Sequence, residues 1–261
     1  METLDTFENF IKLALIVCAF GIALFRIFKN GFERSRLMLI FFTACVMLAE
    51  AYWVVNSLLM NTDRFDLLSA EDLGFFGALL YAIVLLQLFG THITRKRYIV
   101  MSALFGLANY AIYNAYTGRY IADAISCALM SSCMAYILQA IHDHGTMSPY
   151  VRTILKLSAA IFCILNGALF FCDGTLYDVL EMITYVIWIA VLSYFTVRCA
   201  YALKNRKAIT LPLAVTCFLF STYSAFLSDG VFFYLADLME GVSVLLMVEA
   251  VYMEVKADDL C

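Results

Sequence analysis

Five carboxylates hold the residue types and spacing from which this chain could build a site. Asp178 and Glu181 form one D-x-x-E pair, and Asp237 and Glu240 form a second. Acids three residues apart share one face of a helix, so each pair presents a single acidic side. Each pair follows an Asp-Gly step, Asp173-Gly174 or Asp229-Gly230, and each is bounded by apolar runs. Asp-Gly is turn chemistry, because Gly tolerates positive φ and Asp bonds its own backbone. Each copy therefore reads as a helix, a tight turn and a return helix led by acids. The fifth carboxylate, Glu50, interrupts the apolar stretch Leu48-Ala49-Glu50-Ala51-Tyr52-Trp53. Such groups in apolar surroundings stay neutral, find hydrogen-bond partners or face water, and each of these states is useful to a binding or proton-handling site. Glu50, Asp178, Glu181, Asp237 and Glu240 are the candidate lining of a cavity. Asp123, Asp178 and Asp237 have an equally good alternative as acids in the first turns of helices, where the macrodipole favours an anion. Glu249 is expected to snorkel toward a membrane face.

The elements that must carry these residues are membrane helices. Of 261 residues, 64% are hydrophobic and 15% charged, and mean hydropathy is +0.87. Soluble domains are roughly 45–50% apolar and about 25% charged. At about 20 residues per crossing, the chain reads as an all-α polytopic bundle of nine spans: 8–28, 37–60, 73–90, 97–115, 120–141, 151–171, 176–202, 209–228 and 231–254. Two Pro and no Gly/Ser-rich linker argue for one transmembrane domain over 1–261. The start Met1-Glu2-Thr3-Leu4-Asp5 lacks the basic region of a secretory signal, so the first helix is expected to stay in place. Of 17 Lys and Arg, all but Lys12, Arg64 and Arg119 flank alternate connections or follow the last span. The positive-inside rule then places the N-terminus outside and the C-terminus in the cytoplasm, with a cytoplasmic (inner) membrane as the expected location. On this reading the acids crowd the outer half, which lacks basic partners for them.

After the first span, the remaining eight pair into four hairpins. Each has a small polar residue late in its outgoing helix (Asn56, Asn109, Asn166, Ser224) and an acid early in its return helix (Asp72, Asp123, Asp178, Asp237). This pattern fits a parallel internal repeat, and it equally fits the preference of short turns for Gly, Asn and Asp.

Other chemistry is weakly represented. His142-Asp143-His144 lacks an acid at helical spacing and reads as a solvated turn, so no metal site and no cofactor is expected. Phosphate loops and hydrolase nucleophile motifs are absent from the sequence. The basic clusters are topology signals, so nucleic acid is not an expected partner. Most of the nine Cys lie inside apolar runs, where they pack as small hydrophobes, and structural disulfides are not expected.

Two resemblances attach to the hairpins. The runs Gly118-Arg119-Tyr120 to Asp123 and Gly230 to Asp237 resemble the multi-span sensor modules found ahead of bacterial kinase or cyclase domains. That resemblance implies a ligand-reading membrane module, and with only five residues after Lys256 it implies signalling through a separate regulatory protein partner. The stretches Ala49-Glu50 and Cys172-Asp173 or Ser228-Asp229, with Asp63-Arg64-Phe65 leading to Phe75 and Tyr81, resemble the lysoplasmalogenase family of membrane ether-lipid hydrolases. That resemblance implies acid chemistry on a lipid head group, with Glu50 and Asp173 as catalytic candidates. The expected function is a sensor or receptor that binds a small or amphipathic ligand from the outer side. The alternatives are an intramembrane lipid hydrolase and a small-solute or proton-coupled transporter.

Overall fold

The computed structural model describes residues 2–56, 69–89, 210–227 and 231–258, with isolated helical positions between 125 and 194. The described residues are all-helical. Five helices run continuously: α1 (Glu2–Asn30), α2 (Arg34–Val55), α3 (Ala70–Phe89), α4 (Thr210–Leu227) and α5 (Val231–Asp258). Their bounds follow spans 1, 2, 3, 8 and 9 of the sequence reading to within a few residues, except that α1 starts six residues earlier than expected; the end of span 2, 57–60, lies outside the described residues. Phe7–Asn30, Arg34–Val55 and Ala70–Phe89 are long and apolar enough to cross a bilayer, which marks the chain as a membrane protein. The turns at Asp173-Gly174 and Asp229-Gly230, the His142-Asp143-His144 stretch, and most of the four middle spans fall outside the described residues.

Side-chain distribution along α5 shows what surrounds the bundle. Leu235, Met239, Val242, Leu246 and Met253 are exposed, whereas Asp237, Glu240 and Ser243 are buried. The spacing is helical and the polarity is inside out relative to a soluble helix. Lipid against the outer stripe accounts for both. On α1, exposed Phe7, Phe10, Phe25 and Phe28 oppose buried Glu8 and Lys12 in the same way.

The turn from α1 to α2 is closed by a few groups. Gly31 takes φ +87, a left-handed conformation that suits Gly just past a helix end. Arg36 donates through Nη1 to the carbonyls of Asn30 (2.6 Å) and Gly31 (3.2 Å), satisfying acceptors that α1 leaves open. α3 opens on a reciprocal cap. The Asp72 amide donates to Ser69 Oγ (3.1 Å), while the Ser69 amide and hydroxyl donate to Asp72 Oδ2 (2.9 and 2.7 Å).

α2 and α3 are antiparallel and unusually close. A Cβ on Gly74 would lie 2.9 Å from the Cys45 carbonyl oxygen and 3.0 Å from Ala49 Cβ, and one on Gly77 would lie 2.7 Å from Cys45 Sγ. Small residues at such crossings let backbones approach where no hydrophobic force favours association within lipid. α4 packs against α5 and reaches α2 and α3 through Phe218, whose ring meets Phe42 edge-on at 5.5 Å and Phe75 at 6.1 Å. The hydroxyls of Thr43, Thr216, Ser221 and Thr222 donate to carbonyls three or four residues back, which removes their need for outside partners.

Replacing Gly74 by Ala is expected to cost about 1–3 kcal/mol, the range for forcing a methyl into a packed interior. The Gly21→Ala change, where nothing lies within 4 Å of the added carbon, is expected to leave stability unchanged or slightly raised. Unfolding of the two variants side by side in detergent tests the difference.

Candidate functional site

α1 and α5 run in the same direction, and their contact decides where the acids of α5 point. Gly241 is the point of close approach: a Cβ there would sit 3.2 Å from Leu15 Cβ and 3.5 Å from the Lys12 carbonyl oxygen. With the backbones this near, the i,i+4 pair Glu8 and Lys12 of α1 faces the i,i+3 pair Asp237 and Glu240 of α5. α2, antiparallel to α1, brings Glu50 to the same level.

The centre is Lys12. Its Nζ lies 2.6 Å from Glu50 Oε1, 2.7 Å from Asp237 Oδ1 and 3.4 Å from Glu240 Oε2, and its side chain is only 7% exposed. An ammonium has three N–H groups, and three carboxyls from two helices surround it. Glu8, also buried, brings its carboxyl beside that of Asp237. Two oxygens of the cluster, Glu8 Oε1 and Glu50 Oε2, are buried and have no hydrogen-bond partner among the described residues. The Ser243 hydroxyl donates to the Glu240 carbonyl (2.6 Å), one turn along the same buried face.

A second polar contact joins the same helices at their other end. The Arg26 guanidinium pairs with Glu249 and lies over the Tyr252 ring at 4.7 Å, and Arg36 lies 5.7 Å from the same ring. At the helical rise of 1.5 Å, Lys12 and Arg26 are about 21 Å apart along α1. Between them the contact is apolar, through Ile16, Ala19 and Ala23 of α1 and Val244, Met247 and Val248 of α5.

Of the sequence-predicted site residues, the structure brings Glu50, Asp237 and Glu240 together. Asp178, Glu181 and Asp173 lie outside the described residues. Two expectations need correction. The acids of this half do have a basic partner: Lys12, read from sequence only as a topology charge, is their common counter-ion. Its position in Phe10-Ile11-Lys12-Leu13, four residues after Glu8, was the available signal. Glu249, expected to snorkel, is about half exposed and pairs with Arg26. The alternative reading of Asp237 as a first-turn acid also fails, since the first turn of α5 holds no acid. Asp72 does take that capping role on α3, so acids at similar hairpin positions have different uses.

The geometry favours some chemistries. A Lys whose donors all point at carboxyls keeps its charge and is no free nucleophile. Among the described residues, no group of three or more His, Cys, Asp or Glu is placed to hold a metal ion. The oxygens converge on the ammonium. Comparison with protein-family models, curated proteins and solved structures finds no match, so the site is read from its own geometry. Fold and site together define a membrane helical protein with a buried, acid-rich ionic centre.

Removing one partner of a buried ion pair typically costs 3–5 kcal/mol, because the other charge remains without compensation. Lys12→Met is expected to lose about that much stability. Lys12→Met combined with Glu50→Gln should lose less than the sum of the single changes, since the partners share one interaction. A double-mutant cycle by unfolding in detergent measures the coupling.

Proposed function

We propose that this protein is a membrane-embedded receptor, a nine-span bundle with its N-terminus outside, that reads a small ligand at the Lys12 centre and passes the change to a separate protein at the cytoplasmic face. The observation that carries this reading is the pair of polar contacts on one set of helices. α1, α2 and α5 are held at one end by Lys12 with Glu50, Asp237 and Glu240. They are held at the other end by Arg26 with Glu249 and by the two guanidiniums around Tyr252. The charge asymmetry of the connections in the sequence supports an outer Lys12 end and an inner Arg26 end.

A ligand shifts a conformational equilibrium only through different free energies of interaction with the two states. A buried cation shared by several acids supplies such a difference, because any change in its charge balance alters how strongly α1 is held to α2 and α5. The apolar contact between the two ends makes the displacement of α1 common to both.

Spin labels replacing Phe28 and Met253, both exposed at the Arg26 end, report the separation of α1 and α5 there. In lipid nanodiscs, Lys12→Met and the milder Glu240→Gln are each expected to shift or broaden that distance distribution. An unchanged distribution in both folded variants overturns the receptor reading. So does turnover of lysolipid in detergent, or solute uptake into sealed vesicles, by the purified protein alone.

A further inference from the structure

The described cluster holds four carboxyl groups and one ammonium. With every group ionised it would carry a net charge of about −3 inside an apolar bundle, a state that burial strongly disfavours. Arg26, the cation at the far end of α1, is about 21 Å away and already paired with Glu249. Among the described residues Lys12 is the only cation at the cluster, and a proton on one of the acids lowers the excess negative charge. The described acids do not converge on a point suited to a metal ion. The Glu8 carboxyl lies beside the Asp237 carboxyl, and two ionised carboxylates have only acceptors to offer each other, so a proton on one would turn their repulsion into a hydrogen bond. Asp237 Oδ1 already accepts from Lys12 at 2.7 Å, which makes Asp237 the acceptor and Glu8 the proton carrier. The buried Glu8 Oε1, without a partner among the described residues, fits the carbonyl oxygen of a neutral acid better than half of an anion.

We propose that the cluster is a proton-binding site, with Glu8 holding a dissociable proton against Asp237, and that the proton is the ligand of the receptor; this second part rests on the receptor reading above. Glu8 is one turn closer than Lys12 to the start of α1. Loss of the proton to water leaves two carboxylates face to face and drives α1 away from α5 at this end. The groups facing the pair are Lys12 from α1, Glu50 from α2 and Glu240 from α5. α4, which packs against α5, carries only Cys217 and Tyr223 as ionisable side chains. The charges of the cluster act on one another, and Glu8 is its proton carrier.

Infrared spectroscopy of the full chain in lipid nanodiscs tests the site, because a protonated carboxyl has a carbonyl band distinct from carboxylate. At neutral pH the unaltered protein is expected to show that band. Carbon-13 in the Glu carboxyls should shift it, and alkali should remove it. Glu8→Gln should abolish the band, Asp237→Asn should move it, and Glu240→Gln should retain it. The isotope shift in the unaltered protein gives an answer even where a variant does not fold. Absence of the band from mildly acidic to mildly alkaline pH overturns the proposal. Its appearance only when sodium and potassium are replaced by a bulky organic cation also overturns it, by assigning the site to a metal cation. A band that titrates while the Phe28–Met253 label distance stays fixed sustains the proton site and overturns only the receptor reading.

Discussion

The arrangement of α1, α2 and α5 depends on a single ammonium. Lys12 is too buried to be solvated, so its charge must be met by the protein, and the acids around it are too numerous to be left without a cation. Each side of the interaction accounts for the other. An ion cluster of this kind is weak evidence for high stability, because desolvating its members offsets most of their attraction. It is strong evidence for register. α1 cannot slide or rotate against α5 by one residue without separating Lys12 from Asp237, and an apolar interface alone would penalise such a slip far less.

The rest of the bundle permits that cluster to form. Gly241 brings the α1 backbone within reach of α5, and Gly74 lets α3 close on α2 beside Ala49, one residue before Glu50. Phe218 fills the space where α4 faces α2 and α3. The outward stripes of Phe, Leu, Met and Val leave the polar residues only one direction in which to be accommodated. In lipid, the inner face is where hydrogen bonds are available, so the polar residues are drawn inward by the same solvent that draws apolar residues outward.

The sequence carried the helices well and the site only in part. Apolar run length follows directly from bilayer thickness, which is why five helices fall close to their expected positions. Glu50 and Glu240 were conspicuous because ionisable groups inside apolar runs are costly. Lys12 had the same property, yet near a chain end it reads equally well as a flanking charge. What distinguished it was a long-range pairing across 225 positions to Asp237, and no periodicity within α1 encodes that. Glu8 was hidden for a similar reason: its i,i+4 relation to Lys12 is a surface-helix pattern in water and becomes an interior one only once the lipid-facing side is known. Asp72 and Asp237 show the converse limit. Both follow a turn and lead a return helix, but Ser69 stands three residues before Asp72 and closes a local cap, whereas Asp237 lies beyond the first turn of α5 and is free to reach across to α1.

The two ends of the α1–α5 interface differ in a way that bears on how force would travel between them. At the Lys12 end the contacts are ionic and buried. At the Arg26 end the side chains are more accessible: Glu249 is about half exposed and Arg26 about a quarter exposed. Exposed ion pairs contribute little, roughly 0–1 kcal/mol, and a guanidinium over an aromatic ring adds about 0.5–1 kcal/mol at such sites. Opening the accessible end is therefore cheap, and holding it closed falls mainly to the apolar contacts and the buried cluster further along. A rigid helix strongly held at one end and weakly held at the other moves most at the weak end when the strong end is released. The asymmetry runs from the Lys12 cluster toward the Arg26 end, the direction that the proposed receptor reading requires.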